Sequence, residues 1–394
     1  MSRPQLDYLA AEMAALDAKG LHFSLRVLEG EQRPRAVFDG RRVINLSSNN
    51  YLGLTTHPKL RQAALQAIER YGVGSGAVRT ISGTMDLHMD LERQIAAFKH
   101  TEAAVVFQSG FTANAGTVSA ILGREDYIIS DQLNHASIID GARLSRATIK
   151  VFPHKDVAAA EQILRELAPL PGRKLLITDG VFSMDGDIAP LPGLCDIAER
   201  HGAIMMVDDA HASGVLGRHG RGTVDHFQLH GRVDVQVGTL SKAIGALGGY
   251  VCGRRELIDF LYHRGRPFLF STSHPPSVAA TCQAAFHVLE DEPQHMERLW
   301  ENTRYFKAAL QQLGFDTGLS ETPITPIMVG ASRKAMEFSQ ALFDEGLFAT
   351  AVAYPTVPEG SARLRTIVTA THTREDLDEA LGILQRVGTA MDLC

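Results

Sequence analysis

Short, continuous apolar runs recur between residues 100 and 255, separated by longer stretches with helical spacing. Ala103–Phe107, Asp126–Ser130, Thr148–Phe152, Lys174–Thr178 and Ala203–Val207 are such runs, and Val233–Val237 alternates apolar and polar residues as a strand does. Amphipathic stretches such as 157–168 and 191–201 lie between them. Continuous apolar strands joined by helices are buried on both faces, which predicts an α/β fold with a mostly parallel sheet covered by helices on either side. In such sheets ligands bind beyond the carboxyl ends of the strands.

The flanks follow other patterns. Residues 5–20 have helical spacing, with Leu6, Leu9, Met13 and Leu16 on one side and a stop at Gly20, which predicts an N-terminal arm. Arg42–Leu46 reads as a strand, 47–53 as a polar turn and 58–71 as a helix. After about 275, Pro275-Pro276 opens a helical region reaching about 312; strand Ile324–Val329, helix 333–345, strands Phe348–Val352 and Arg363–Val368, and helix 373–387 follow. With 394 residues the chain exceeds one ordinary core. The expected organisation is an arm and small-domain segment over 1–45, a large domain over 46–275, and a connecting helix with a smaller C-terminal α+β domain over 276–394.

Polar residues gather where the central strands end: Ser109-Gly110-Phe111, Asn134-His135, Ser183, Asp208 to His211, and Thr239 to Lys242. Lys242 stands among small residues in 238–250, with no charged residue within seven positions. Such surroundings desolvate an ammonium and lower its pKa, as a nucleophilic amine requires. Lys99, closing the charged helical run 91–99, reads instead as a solvated surface lysine. Asp208 and His211 suit either a turn-supporting cluster or a ligand site; a metal is disfavoured, because no further His or Cys stands nearby at ligand spacing. A strand-end lysine with a strand-end carboxylate matches the needs of pyridoxal phosphate: an amine for the Schiff base, and an acid to keep the pyridine nitrogen protonated.

Several separate motifs resemble the α-oxoamine synthases, a family of fold-type-I pyridoxal-phosphate transferases. They are Asn45–Leu54, Ser75–Arg79 with Ser82-Gly83-Thr84, Asn134–Gly141, Val181–Asp187, Phe270–Ser273, Arg363–Arg365 and Thr369–His372, and they cover nearly the whole chain. The resemblance implies a seven-stranded type of central sheet, a small C-terminal domain, and condensation of an amino acid with an acyl-CoA. It makes Lys242 the Schiff-base lysine and proton carrier, Asp208 the partner of the pyridine nitrogen, and His135 the imidazole that stacks on the ring. His211 and Ser183 would approach the phenolic oxygen, and the backbone N–H groups of Ser109, Gly110 and Phe111 would cradle the phosphate with Thr239. Ser271 or Thr272 would reach the phosphate of a neighbouring subunit, which implies a homodimer with shared active sites. Asn50 and Arg365 would handle the amino acid's carboxylate, with Arg363 as the rival arginine. Thr178–Ser183 most resembles the glycine C-acetyltransferase branch, pointing to glycine and acetyl-CoA, with release of 2-amino-3-oxobutyrate and CoA. The alternative is decarboxylating condensation of alanine with pimeloyl-CoA, as in biotin biosynthesis.

Composition narrows the partners. Hydrophobic content of 45% and charged content of 21% are those of a soluble globular protein. The net charge of −6 argues against nucleic acid or an anionic membrane as partner, so an anionic ligand must be held locally. Cys195, Cys252, Cys282 and Cys394 form no C-x-x-C pair, which predicts neither zinc nor disulfides and suits a reducing cytoplasm. No secretory pattern opens the chain, and no apolar run approaches the ~18–20 residues of a membrane span. Gly72-x-Gly74-x-Gly76 raises an alternative from another class, an NAD(P)-dependent oxidoreductase; its glycines follow a helix, whereas a dinucleotide turn follows a strand.

Overall fold

A computed structural model describes residues 4–18 and 25–394. The described chain forms two compact units: a larger one, Asn49–Ser183 with Asp187–Glu297, and a smaller one of the residues up to Ser48, Met184–Gly186 and Arg298–Cys394.

The larger unit is built on a seven-stranded sheet. Its strands neighbour one another in the order Ala103–Phe107, Gly249–Gly253, Val235–Thr239, Ile204–Asp208, Lys174–Asp179, Tyr127–Asp131 and Thr148–Phe152. All run parallel except Gly249–Gly253, which pairs antiparallel with both of its neighbours. That strand is absent from the sequence expectation, where its flanking glycines read as turn. Alternation across the sheet explains the apolar runs. Leu175, Ile177 and Met206 enter one buried cluster, while Leu176, Met205 and Val207 enter another. The central strands are therefore buried on both faces, while the edge strand Thr148–Phe152 is exposed everywhere but at Phe152.

The smaller unit holds an antiparallel sheet in the order Ile324–Gly330, Ala362–Ile367, Thr350–Val352, and a second sheet of Arg35–Phe38, Arg41–Asn45 and Leu347–Phe348. Its core includes Ile44, Leu46, Phe306, Phe338, Leu364 and Leu384. Arg363 is buried here and donates to Met184 O at 3.2 Å, to Ser361 O at 3.0 Å and to the Asp185 carboxylate. Gly186 O accepts from the backbone N–H groups of Glu321 and Thr322, each at 3.0 Å. These bonds tie Met184–Gly186 to the smaller unit.

The helical region after Pro275 is two helices, Pro276–Asp291 and Gln294–Gln312, with Pro293 at the break; the residue before a proline is driven out of the helical region. The first helix packs against Pro58–Tyr71 and Asp86–Phe98, and the compact units divide at 297/298 and 48/49, where the expected domains divide at 275/276 and 45/46. Residues Tyr8–Ala18 are helical with no buried residue, and the expected stop at Gly20 lies outside the described residues.

Lys99 is not on the surface. Its ammonium is fully buried, 2.8 Å from Asp209 Oδ2, and donates to Arg221 O at 2.5 Å. Burial works against its charge, but the Asp209 carboxylate more than offsets this and raises its pKa. Removing one partner of such a pair leaves the other charged and dry. Lys99→Ala is therefore expected to cost about 3–5 kcal/mol of unfolding free energy, read by denaturant titration of the holoenzyme; a loss near zero would show the pair to be dispensable.

Candidate active site

The carboxyl ends of the parallel strands bring the expected cofactor residues together in the larger unit. Asp208 ends Ile204–Asp208, lies opposite Val237 in the neighbouring strand, and is buried. Its Oδ2 accepts from Asn114 Nδ2 at 2.6 Å and its Oδ1 from Ala210 N at 2.8 Å. Asn114 projects from the helix Gly110–Ile121 and also donates to Ser137 Oγ at 2.9 Å. Sequence reasoning missed it; the available signal was a lone amide in the otherwise apolar run Ala113-Asn114-Ala115-Gly116.

His135 caps the helix Ala136–Ser145, its Nδ1 lying 2.8 Å from Ser137 Oγ and accepting from Ser137 N at 3.2 Å. Burial and the charge of Lys242 lower its pKa, while Asp208 pulls the other way. The neutral, flat imidazole is thus the favoured form beside these two charges. His135 N donates to Asp179 Oδ2 at 2.9 Å. Burial and the nearby Asp208 charge push the Asp179 carboxyl well above the carboxylate range, so the two acids need not both ionise. His211 is buried, with Nδ1 2.8 Å from the hydroxyl of Tyr51, a second group the sequence did not single out.

At the next strand end, Ser109 caps its helix by accepting from Thr112 N at 3.1 Å. The N–H groups of Gly110 and Phe111 then have no carbonyl partner within the helix. A Cβ on Gly110 would lie 3.3 Å from Thr239 Cβ, so Thr239 flanks this helix start. Thr239 Oγ1 donates to Gly248 O at 2.9 Å and lies 2.8 Å from Ser241 Oγ, an additional hydroxyl at the same place. Lys242, half-buried, follows three residues after Thr239. Its loop is clamped by protein: a Cβ on Gly245, which has φ of +77°, would meet Thr55 N at 2.9 Å. Thr55 is the partner of Asn50, whose Nδ2 donates to Thr55 Oγ1 at 2.7 Å. Gly245 is therefore required by the neighbouring backbone of Leu54 and Thr55.

The remaining expected residues fall elsewhere. Ser183 is half-buried in the turn after Lys174–Asp179. Ser271 is half-buried and Thr272 exposed; Thr272 O accepts from Gln108 Nε2 at 2.9 Å. Arg365 lies half-buried in the smaller unit, opposite Thr350 and Pro326. Its rival Arg363 has committed its guanidinium to Asp185, Met184 and Ser361. Gly72 caps the C-terminus of Pro58–Tyr71, its N–H on Ile68 O at 2.9 Å, so the glycine run follows a helix and the dinucleotide reading fails.

These residues fit pyridoxal phosphate. An anion can sit on the open helix start, and the Asn114-held carboxylate, one of whose donor's own atoms, Asn114 Oδ1, is buried without a partner, offers a polar terminus for a ring nitrogen. The sequence profile of the aminotransferase class I and II family matches residues 41–384, and the chain belongs to that family. Within it the protein is a pyridoxal-phosphate-dependent acyltransferase of the α-oxoamine synthase type, an assignment its relatives bear out. It is 60% identical over 387 residues to 8-amino-7-oxononanoate synthase of Symbiobacterium thermophilum, covering 98% of this chain and 99% of the relative. It is 56% identical to the enzyme of that name from Thermoanaerobacter pseudethanolicus, covering 98% of each. Serine palmitoyltransferase from S. paucimobilis, solved with pyridoxal phosphate and myriocin, superposes with a TM-score of 0.93 at 34% identity over 99% of each chain.

The glycine C-acetyltransferase reading of Thr178–Ser183 finds no support in these relatives. Packing explains why the motif misled. A Cβ on Gly180 would lie 2.5 Å from Asp209 Oδ1 and 2.8 Å from Thr223 Oγ1, and Asp179 is bonded to the His135 backbone. The pair Asp179-Gly180 packs against the buried ion pair and the histidine turn.

Asn114→Ala removes a hydrogen bond to a charged group, worth roughly 1.5–3 kcal/mol. Titration of the apoenzyme with pyridoxal phosphate, followed by absorbance, should show binding weakened about 10–100-fold; unchanged affinity would remove Asn114 from the site.

Proposed function

We propose that the protein is an 8-amino-7-oxononanoate synthase, joining alanine to pimeloyl-CoA with loss of CoA and carbon dioxide. The observation that carries this reading is the identity of 60% and 56% to enzymes of that name over nearly the full length of each chain.

When bound, pyridoxal phosphate supplies an electron sink for the bonds broken at the amino acid's α-carbon. Lys242 Nζ would hold the cofactor and would be the base for the α-proton. Asp208, fixed by Asn114 and Ala210 N, would hold a proton at the ring nitrogen. His135 would cover the ring and exclude water. His211, oriented by Tyr51, and Ser183 bind the phenolic oxygen. The amides of Gly110 and Phe111, next to the Ser109 cap, bind the phosphate with Thr239. Asn50 and Arg365 orient the alanine carboxylate, Arg365 through its two-pronged fork.

The test is a panel of glycine, alanine and serine against acetyl-, succinyl- and pimeloyl-CoA, following CoA release and product mass. Alanine with pimeloyl-CoA should give the highest kcat/KM and a product lacking the alanine carboxyl. Preference for glycine with acetyl-CoA, and a product retaining its carboxyl, would overturn the assignment.

We further infer a homodimer in which Ser271 or Thr272 reaches the partner's phosphate. Phe270, immediately before them, is 70% exposed, and a large exposed aromatic beside a binding residue suits a covered face. Sedimentation should give twice the chain mass, and Phe270→Asp should lower both association and cofactor affinity. A monomer with undiminished cofactor affinity would dismiss the shared site.

A further inference from the structure

Outside the expected cofactor residues, three potential metal ligands from two distant parts of the sequence converge in the larger unit. His57 caps the helix Pro58–Tyr71, Glu292 caps the C-terminus of Pro276–Asp291, and His295 lies in the first turn of Gln294–Gln312. One ligand atom from each lies within 4.8 Å of the other two. Glu292 Oε2 is 3.4 Å from His57 Nε2 and 3.1 Å from His295 Nε2. Tetrahedral zinc with bonds of 2.0–2.2 Å places its ligands about 3.3–3.5 Å apart, so both imidazoles already stand near ligand spacing from one carboxylate oxygen.

We propose that His57, Glu292 and His295 form a binding site for a zinc-class divalent cation. Two imidazoles and a carboxylate are a donor set that zinc accepts, with a fourth position left for water. The side chains are 14%, 19% and 23% exposed, so the site is shielded yet reachable. Lys59 Nζ, 2.7 Å from Glu292 Oε1, occupies the other carboxylate oxygen and turns Oε2 toward the imidazoles. Two features oppose binding. The Lys59 charge repels a cation, and ligation through His57 Nε2 puts the proton on Nδ1, giving up the 3.3 Å bond from Lys59 N. The first is a lever for testing the site. A bound ion would staple three helix ends, one of them at the turn that begins with Asn50 and closes on His57.

Holoenzyme stripped with a chelator is dialysed against Zn²⁺ alone, in wild type and in four variants: Glu292→Gln, the double variant His57→Ala/His295→Ala, Lys59→Gln and Cys394→Ser. Expected are one zinc per chain in wild type and in Cys394→Ser, binding weakened at least tenfold in Glu292→Gln, loss in the double variant, and tighter binding in Lys59→Gln. Zinc should also raise the melting temperature of wild type and not that of the double variant. X-ray absorption at the zinc edge of wild type guards against a variant that misfolds; it should show two imidazoles and oxygen in the first shell. Undiminished binding in the double variant, or a shell with sulfur or without imidazole, overturns the proposal.

Discussion

Two adjacent carboxylates at the end of one buried strand are the constraint on which the site depends. Successive residues of a strand point to opposite sides, so Asp208 and Asp209 cannot share a partner. Both are nearly dry, at 4% and 0% exposure. An unpaired charge there would be costly. Asp209 is matched by Lys99 and by Thr223, whose N–H and hydroxyl both donate to it. Asp208 is matched by Asn114 and Ala210 N. One carboxylate is thus consumed in holding the helix Asp86–Phe98 and the turn at Thr223 to the sheet, and the other is left facing the cofactor residues.

The same economy of space governs the lysine loop. Lys242 stands on a short, glycine-rich turn, which alone would be a flexible place to put an amine. Instead, Gly245 admits the backbone of Leu54 and Thr55, and Gly110 admits Thr239. Each missing Cβ lets a second segment approach, so residues from 50–55, 109–112 and 239–245 are packed into register. Preorganisation of this kind keeps catalytic groups near working geometry before substrate arrives.

Much of this was legible in the sequence because strand burial and strand ends leave simple signatures. Apolar runs located the parallel strands, and polar residues just beyond them located Ser109, His135, Asp208, Thr239 and Lys242. The failures share a physical cause, which is that they depend on partners far away in sequence. Lys99 looked solvated beside Glu92 and Arg93, yet its partner is Asp209, 110 residues on. Gly249–Gly253 looked like turn because glycine weakens strand propensity, and only pairing on both sides makes it a strand. The helix after Pro275 was grouped with the smaller domain because its amphipathic face does not say which helices it will meet. Arg363 and Arg365 share one face of a strand, and the contacts of Arg363 with Asp185, Met184 and Ser361 are not visible in the sequence.

The substrate branch was less legible for a related reason. Serine palmitoyltransferase keeps this fold at about one-third identity, so residues that build the fold and hold the cofactor carry little information about the acyl group or the amino acid. A position can report specificity only if packing leaves it free to vary. Gly180 fails that criterion, since any side chain there would strike Asp209 and Thr223, and Asp179 fails it through its bond to His135 N. In a period-two strand such as Ala362–Ile367, positions on one face alternate with core positions such as Leu364. Discrimination between acyl chains then rests on a few apolar contacts worth about 1–3 kcal/mol per methylene difference, which a motif fixed by buried charge cannot encode.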